Sequence, residues 1–369
     1  MAQQPGLTDP LNIMDFEPLA RKALPPAHWG YLATGVNDDL TLRRNREAMD
    51  HYQLRVRQLA GIVAPDLKTE VFGETWESPV YLSAVGHQKQ FHPDGELAVA
   101  RASRVRKTMQ MLSTVATTSV EDVAKARGAA PWFQLYIPKA WDETEKLIRR
   151  VEAAGCKVLV WTVDNVPGRN TETLIRFARA DKRNCMTCHA VDPLAGSNPE
   201  RNRTKPMFTG LSGDINPVAA DWTYLEKLKK MTSMKIVIKG IDTAEDALLA
   251  RERGADGIVV SNHGGRASET GRGTMDVLPE VIDAVGGRIP VLVDGGFRRG
   301  MDIMKALALG ATAVGVGRPY IWGLSAFGQP GVERVLEILT AELTLTMRQC
   351  GGGSIAKITR SSVLRAPGV

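Results

Sequence analysis

One repeated pattern constrains the fold of this 369-residue chain more than any other feature. An amphipathic helical stretch ends at a glycine, and a short apolar, β-branched stretch follows at once. The pattern occurs in full at residues 147–164, 246–263 and 303–318. Such apolar runs are typical of strands buried on both faces of a parallel sheet, and each glycine suits the position just after a helix. The repeat therefore predicts alternating helices and parallel strands.

Extending the pattern gives eight candidate strands, near residues 80–84, 109–113, 132–136, 157–163, 235–239, 256–261, 289–294 and 312–317. Helical stretches separate most of them, at 94–107, 119–127, 142–154, 243–253, 275–285 and 300–309. Asp142 and Glu145 predict a capping box at the start of the third of these helices. Eight such units favour the α/β class and a closed (β/α)8 TIM barrel, although an open doubly wound sheet has the same local pattern.

Two segments lie outside the repeat. Residues 1–75 form an N-terminal extension with helical character at 16–24 and 40–48, and the barrel is expected over 76–365. Residues 181–222 are polar and rich in Pro, Asn and Gly. A loop of this length after the fourth strand is typical of a mobile lid, a partner surface or a disordered segment. We expect one domain over residues 1–369.

Composition narrows the function classes. The formal net charge of +6 arises from basic residues interleaved with acidic ones, which indicates solvated helix faces rather than a nucleic-acid-binding patch. No stretch approaches the ~18 consecutive apolar residues of a membrane span. The first residues lack the pattern of a secretory signal, the last residues are not a peroxisomal address, and four cysteines do not make a disulfide framework. We therefore expect a cytoplasmic protein that does not insert into membranes.

Polar residues follow most of the candidate strands, where the active site of such a barrel lies. They are Gln134 and Tyr136, Thr162 and Asp164, Lys239, His263 and Arg266, Asp294, and Arg318. The last two strands lead into the glycine-rich turns "DGGFRRG" and "GVGRP". Main-chain amides in such turns approach anions closely, and arginines accompany both turns. The sequence therefore predicts a phosphate site after the seventh and eighth strands.

The segments "SNHGGR" (261–266), "VLVDGGFRRGMDIMKALALGA" (291–311), "YLATGVNDDLTLRRN" (31–45) and "FQLY" (133–136) resemble those of one family. It is the FMN-dependent α-hydroxy-acid oxidase and dehydrogenase family, which includes glycolate oxidase, lactate oxidase, mandelate dehydrogenase and the flavin domain of flavocytochrome b2. The resemblance covers roughly residues 18–365 and is broken in the loop after the fourth strand.

The resemblance implies FMN as cofactor and oxidation of an α-hydroxy acid, or a related α-hydroxy carbonyl compound, to the keto product. His263 is expected to be the base, with Asp164 bonded to its ring, and N5 of the flavin to accept the electrons by a hydride or a carbanion route. Arg266, Tyr31 and Tyr136 are expected to contact substrate, and Lys239 the N1–C2 oxygen edge of the flavin. The remaining flavin contacts are expected from Ala84, Val85, Gly86, Ser113, Gln134, Thr162, Ser261, Asp294, Gly296, Arg298, Gly317 and Arg318.

The resemblance also implies a homotetramer and a second acceptor, which is O2, a quinone or a redox protein. No metal is expected. Two rival functions remain open: an FMN-dependent isomerase or another phosphate-binding barrel enzyme, and a flavin-binding protein that docks a partner through residues 181–222.

Three departures from the family pattern concern the substrate side of the site. The segment after the fourth strand is about a residue shorter and keeps a single arginine, Arg169, as candidate for the second carboxylate ligand. Ala84-Val85-Gly86 replaces the family's Pro-Thr-Ala or Pro-Thr-Gly, and Val115 stands at a position that is often aromatic. These changes predict a larger or less polar pocket and a substrate bulkier than glycolate or lactate.

The long loop contains "CMTCH", from Cys185 to His189. We interpret Cys185 and Cys188 first as plain loop residues or a redox-sensitive dithiol, and second as metal ligands with His189, for which a fourth ligand is lacking. Covalent c-type haem ranks third, because it requires an exported protein with a cytochrome-like surrounding.

Overall fold

The computed structural model describes residues 6–165, 168–183, 205–212, 215 and 220–368. Within them the strands are β1 Tyr52–Leu54, β2 Thr69–Val71, β3 Glu74–Trp76, β4 Val80–Leu82, β5 Met109–Ser113, β6 Trp132–Leu135, β7 Val158–Thr162, β8 Lys235–Ile241, β9 Gly257–Val260, β10 Val291–Asp294, β11 Ala313–Val316 and β12 Val363–Arg365. The α-helices are α1 Phe16–Ala23, α2 Pro26–Ala33, α3 Leu40–Glu47, α4 Gly95–Val105, α5 Val120–Arg127, α6 Trp141–Ala153, α7 Glu172–Arg179, α8 Thr223–Met231, α9 Ala244–Glu252, α10 Thr274–Val285, α11 Gly300–Leu309 and α12 Arg318–Cys350.

Strands β4 to β11 form a closed barrel of eight parallel strands. Each strand pairs with the next along the chain, and β11 pairs back with β4 to close the ring. The eight strand predictions and the TIM barrel are therefore confirmed, and the open sheet is excluded. Closure could not be read from the sequence because it depends on pairing between the first strand and the last.

Side chains of alternate strand positions fill the barrel. Val158 and Val160 point into the interior together with Val237, Val259 and Leu292. The intervening residues pack between the strands and the surrounding helices. This division follows from the two-residue period of a strand and gives a packed interior, so the barrel is not a pore.

A β-hairpin that the sequence did not predict packs against one end of the barrel. Strands β2 and β3 pair antiparallel, and the hairpin brings Phe72 and Trp76 onto Trp132 at the start of β6, with ring centroids 5.6 and 5.1 Å apart. The aromatic cluster covers the end where the strands begin. Any cleft must therefore open at the opposite end, where the strands finish.

The N-terminal extension is an integral part of the molecule. Its predicted helices are confirmed as α1 and α3, whereas α2 was not predicted. Strand β1 of the extension pairs antiparallel with β12 near the C-terminus. The exact division at residues 75 and 365 stays a prediction.

Two local findings concern the helices. The predicted capping box is wrong: Ala140 is the N-cap of α6, and Asp142 pairs instead with Lys146 one turn later, at 3.0 Å. None of the helices in the described residues combines the length and apolar character that crossing a membrane requires.

Part of the predicted long loop packs on the barrel. Met207 and Phe208 are fully buried, and Arg150 of α6 donates to the carbonyl oxygen of Pro206 at 2.7 Å. The Cys185–His189 segment lies outside the described residues, so its interpretations stay predictions.

Candidate active site

The ends of the barrel strands surround a cleft that encloses about 900 Å³ when the solvent space at its mouth is included. Most of the residues that the sequence singled out line it: Tyr31, Ala84, Val85, Gly86, Ser113, Gln134, Tyr136, Thr162, Lys239, His263, Arg266, Asp294, Gly296, Arg298, Gly317 and Arg318. Three others lie behind this lining, and each bonds to a residue of it. Asp164 contacts His263, Arg169 contacts Arg266, and Ser261 contacts Lys239.

His263 and Asp164 form a hydrogen-bonded pair at the open end of the cleft. Nδ1 of His263 lies 2.8 Å from Oδ1 of Asp164, and Nε2 lies 3.2 Å from the Tyr136 hydroxyl. Because an ionised carboxylate only accepts, Nδ1 carries the proton in the neutral ring and Nε2 keeps its lone pair. The imidazole therefore has an acceptor nitrogen directed to the side where Tyr136 lies.

The electrostatics keep this pair ready for proton transfer. Burial lowers the pKa of His263 below its ordinary value of 6.5, and Asp164 opposes that shift. Burial by itself would raise the pKa of Asp164, but the charges of His263 and Lys239 outweigh burial and hold the pKa below its ordinary value. At neutral pH the pair is thus a neutral imidazole beside a carboxylate. A proton taken by the ring would gain a charged partner at once.

The main chain holds the histidine in an unusual conformation. His263 has a φ of 58°, in the left-handed region, directly before Gly264 and Gly265 with φ of 66° and 78°. A β-carbon on Gly265 would lie 2.5 Å from the backbone of Leu42 in α3. The double glycine of "SNHGGR" therefore allows a close approach between this loop and the N-terminal extension.

Arg266 and Tyr31 form the wall of the cleft next to His263. The guanidinium of Arg266 lies 4.2 Å from the centroid of the Tyr31 ring and donates to the Tyr31 carbonyl oxygen. Arg169 donates to the carbonyl oxygen of Arg266 at 3.1 Å, so the retained arginine of the shortened segment stands beside this wall. Two arginines close to His263 suit the binding of a small carboxylate.

Two further arginines line the cleft, Arg298, which is buried, and Arg318, which is partly buried. Burial and the charge of Arg46 lower the pKa of Arg298 to about 10, and its guanidinium stacks on Trp322 at 4.6 Å. Burial and the charges of Arg266 and Arg298 lower the pKa of Arg318 to about 9. Cations crowded in this way are stabilised by an anion, as the predicted phosphate site requires.

Arg318 also has a structural role that the sequence did not reveal. Its guanidinium donates to the carbonyl oxygens of Leu32 at 2.6 Å, Thr34 at 2.9 Å and Gly264 at 2.9 Å. The side chain therefore joins the N-terminal extension to the loop of His263. Towards an anion, Arg318 offers its charge and the N–H donors that remain.

A row of buried polar side chains crosses the middle of the cleft. The Ser113 hydroxyl donates to Gln134 Oε1 at 3.1 Å, and Gln134 Nε2 donates to Thr162 Oγ1 at 2.9 Å. These groups stand at the ends of three neighbouring strands, β5 to β7. A flat heterocycle with hydrogen-bonding edges would match such a row.

Val115 and Gly86 determine the shape of the wall after β4. A β-carbon at Gly86 would lie 2.5 Å from a methyl group of Val115, so the missing side chain at 86 leaves room for Val115. Gly86 thus makes room for Val115, and valine at position 115 does not simply add to the volume of the pocket.

The sequence missed residues of the N-terminal extension that hold the active-site loops. Asn45 in α3 and Asn262 exchange two hydrogen bonds, at 2.9 and 2.8 Å, although 217 positions separate them. Arg46 donates to the carbonyl oxygen of Gly296. Both residues stand in or next to the "LTLRRN" segment that resembles the family, but the segment itself did not reveal which loops they contact.

The donor set fits FMN. The arginines Arg298 and Arg318, a row of buried polar side chains and a histidine–carboxylate pair all border the same cleft. A sequence profile described as FMN-dependent dehydrogenase matches residues 20–365. The chain belongs to this family. The protein is therefore an FMN-dependent oxidoreductase, and the predicted resemblance and cofactor are confirmed.

Individual relatives agree with this assignment. The chain is 41% identical over 360 residues to the peroxisomal (S)-2-hydroxy-acid oxidase GLO4 of Oryza sativa subsp. japonica, covering 96% of each chain. It is 36% identical to the L-lactate dehydrogenase (cytochrome) of Wickerhamomyces anomalus, covering 97% of this chain and 62% of that longer one. Among solved structures, a Pediococcus acidilactici (putative) lactate oxidase superposes with a TM-score of 0.88 at 33% identity, over 99% and 97% of the two chains. Mandelate oxidase with (S)-2-phenylpropionate gives 0.85 at 34% identity, over 98% and 99%.

Proposed function

We propose that this FMN-dependent oxidoreductase oxidises an α-hydroxy acid, or a related α-hydroxy carbonyl compound, to the α-keto product. The reaction removes two electrons and two protons from the carbinol carbon and its hydroxyl. The observation that carries the proposal is the His263–Asp164 pair beside Arg266 of the cleft lining, with Arg169 bonded to Arg266 from behind. The pair suits proton abstraction, and the arginines suit the carboxylate of the same small molecule.

Each residue has a defined task in this proposal. Arg266 and Arg169 bind the substrate carboxylate with Tyr31, and the Tyr136 hydroxyl orients the substrate hydroxyl group near Nε2 of His263. His263 takes one proton at Nε2, and Asp164 stabilises the resulting imidazolium. FMN, when bound, supplies a two-electron acceptor at its N5.

The remaining cleft residues would hold the cofactor. Lys239 would stand at the edge of the ring that gains negative charge, and Ser113, Gln134 and Thr162 would bond the ring. Ala84, Val85 and Gly86 would flank its face. Arg298, Arg318 and the turns containing Asp294, Gly296 and Gly317 would hold the ribityl chain and phosphate.

The test is anaerobic mixing of the purified holoprotein with a panel of 2-hydroxy acids of increasing side-chain size. Loss of the oxidised-flavin absorbance reports reduction, and each acid is paired with its analogue that lacks the hydroxyl. We expect bleaching by at least one hydroxy acid and by none of the analogues. A holoprotein that no hydroxy acid bleaches would contradict the substrate class, and a His263→Ala variant that is reduced at the wild-type rate would contradict the assigned base.

The terminal acceptor is distinguished in the same preparation. Reoxidation of the reduced holoprotein by O2 at the rate of turnover identifies an oxidase, whereas slow reoxidation by O2 with fast reoxidation by a quinone or a redox protein identifies a dehydrogenase. The intact His263–Asp164 pair favours catalysis over the rival function of partner docking alone.

We also propose a single functional unit over residues 1–369, a homotetramer and a cytoplasmic location. The exposed apolar side chains Val56, Leu59 and Val63 support self-association. Cys156 and Cys350 are buried free thiols in the described part of the chain, in keeping with a reducing compartment. Light scattering of the holoprotein tests the tetramer, and microscopy of the tagged protein tests the location, where a punctate peroxisomal signal would contradict it.

A further inference from the structure

The hydroxyl group of Ser261 connects three parts of the active site. Ser261 Oγ donates to Asp294 Oδ1 at 2.6 Å, accepts from Lys239 Nζ at 2.7 Å, and accepts from the main-chain N–H of His263 at 3.1 Å. A hydroxyl has one hydrogen to donate and two lone pairs to accept with. All three are used, and the side chain is almost completely buried. Its orientation is thus fully determined.

This arrangement keeps a buried ammonium group out of direct contact with a buried carboxylate. Lys239 Nζ lies 3.7 Å from Asp294 Oδ2, beyond hydrogen-bond distance, although the two side chains are only 6% and 8% exposed. Both carboxylate oxygens already accept from serine hydroxyls, Oδ1 from Ser261 and Oδ2 from Ser83 at 3.1 Å. The serines therefore satisfy the carboxylate, and the ammonium of Lys239 bonds to Ser261 instead.

The separation matters because Lys239 and Asp294 both line the cleft. A hydrogen-bonded ion pair presents little net field, since the two charges nearly cancel at a distance. An ammonium held away from its counter-charge presents more positive potential to the cleft. In a buried, low-dielectric setting this difference is larger than it would be in water.

We propose that Ser261 is a positioning residue that raises the reduction potential of bound FMN by holding the Lys239 ammonium apart from Asp294. The proposal rests on the placement of FMN given above, with Lys239 at the edge of the ring that gains negative charge on reduction. The ammonium stabilises the reduced, negatively charged cofactor more than the neutral oxidised one. Its positive electrostatic potential in the cleft therefore favours reduction. Without the hydroxyl, Lys239 and Asp294 have each other as the nearest partners and form a direct pair.

The experiment measures the midpoint potential of the FMN in the holoprotein by anaerobic reductive titration with xanthine and xanthine oxidase against a reference dye. Ser261→Ala is compared with wild type and with Ser103→Ala. Ser103 is an equally buried serine whose hydroxyl bonds to Thr108 and Arg127 near the end of α4, at the barrel end opposite the cleft. It therefore controls for the general effect of removing a buried serine hydroxyl.

We expect Ser261→Ala to weaken the preference of the protein for reduced over oxidised FMN at least tenfold, which lowers a two-electron potential by about 30 mV or more. Ser103→Ala is expected to leave the potential unchanged. Ser261→Cys keeps the shape of serine but has a weak donor and a weak acceptor, so it is also expected to lower the potential. This second variant tests the inference even where the alanine variant does not fold.

A potential that stays constant or rises in Ser261→Ala or in Ser261→Cys overturns the proposal, as does an equal decrease in Ser103→Ala. The titration uses no hydroxy acid. A wild-type flavin that hydroxy acids do not bleach, combined with the expected decrease in Ser261→Ala, would therefore contradict the proposed substrate class and leave the role of Ser261 supported.

Discussion

Replacing Asp164 by asparagine would remove a negative charge from beside His263 and keep an oxygen that accepts the Nδ1 hydrogen. In the wild type the two side chains are 2.8 Å apart at the bonded atoms, and the carboxylate side chain is 9% exposed. When His263 takes a proton, the new imidazolium and the carboxylate become an ion pair with charge centres about 4 Å apart. At an effective dielectric constant of about 20 such a pair gains about 4 kcal/mol.

The opening of the cleft reduces this value, because 22% of the His263 side chain is exposed. We therefore expect Asp164→Asn to raise the barrier to substrate oxidation by about 2–4 kcal/mol, which slows flavin reduction between about 30-fold and 1,000-fold. The pH profile should change as well. Asp164 raises the pKa of His263, so its loss lowers that pKa and moves the acid limb of the rate profile to lower pH.

Anaerobic stopped-flow mixing with a reducing hydroxy acid measures the rate constant directly. Asp242→Asn is the matched control. Burial raises the pKa of Asp242 and the charge of Asp164 adds to that shift, so the two carboxylates are neighbours, but in the described residues Asp242 does not bond to His263. A reduction rate in Asp164→Asn within about threefold of wild type, or an equal loss in Asp242→Asn, would refute the assigned role of the carboxylate.

Three further predictions concern proton transfer, stability and cofactor retention. The rate of flavin reduction at limiting substrate should rise with pH and level off above a pKa lower than 6.5, because neutral His263 is the active form; a rate that falls over this range in a stopped-flow series would contradict this role. Asn45→Ala should lower the free energy of unfolding by about 2–4 kcal/mol in urea at fixed FMN concentration, since it removes the partner of Thr274 N and one hydrogen bond each from Oδ1 and Nδ2 of Asn262. An unchanged unfolding midpoint would contradict this role of Asn45. Gly296→Ala should raise the FMN dissociation constant at least tenfold in fluorescence titrations, because the φ of Gly296 is 86° and a β-carbon would lie 2.2 Å from the Asn45 carbonyl oxygen. The control is Gly287→Ala, where φ is 70° but the space around the residue is open, and it should leave that constant unchanged.

The alternation of strands and helices could be predicted because its signals are local, whereas closure of the barrel could not. Strands buried on both faces, such as Val158–Thr162, read as short apolar runs at any position in a chain, and Gly155 and Gly254 mark the ends of helices with φ of 88° and 79°. The polar residues after those strands then point to one end of the barrel. His263 and Lys239 were found in this way, without any knowledge of their neighbours.

The hydrogen bonds by which the N-terminal extension holds the active-site loops could not be predicted in this way. Helix α3 has the sequence LTLRRNRE, which is typical of a solvent-exposed helix, yet Asn45 is 1% exposed and bonded to Asn262. The hairpin of β2 and β3 covers the end of the barrel where the strands begin, and its sequence likewise contains no pattern that predicts this position. Partners separated by hundreds of residues leave no periodic pattern in the chain.

The sequence by itself therefore predicted the alternating strands and helices of an α/β fold, the ends of the strands at which polar residues gather, and His263 as the candidate base. Only the tertiary structure decided what each of these side chains is bonded to: that Arg318 holds the N-terminal extension, that Val115 occupies the space next to Gly86, and that Ser261 separates Lys239 from Asp294. The physical reason is that hydrophobic periodicity is a property of neighbours along the chain, whereas hydrogen-bond partners and electrostatic fields depend on distances in space.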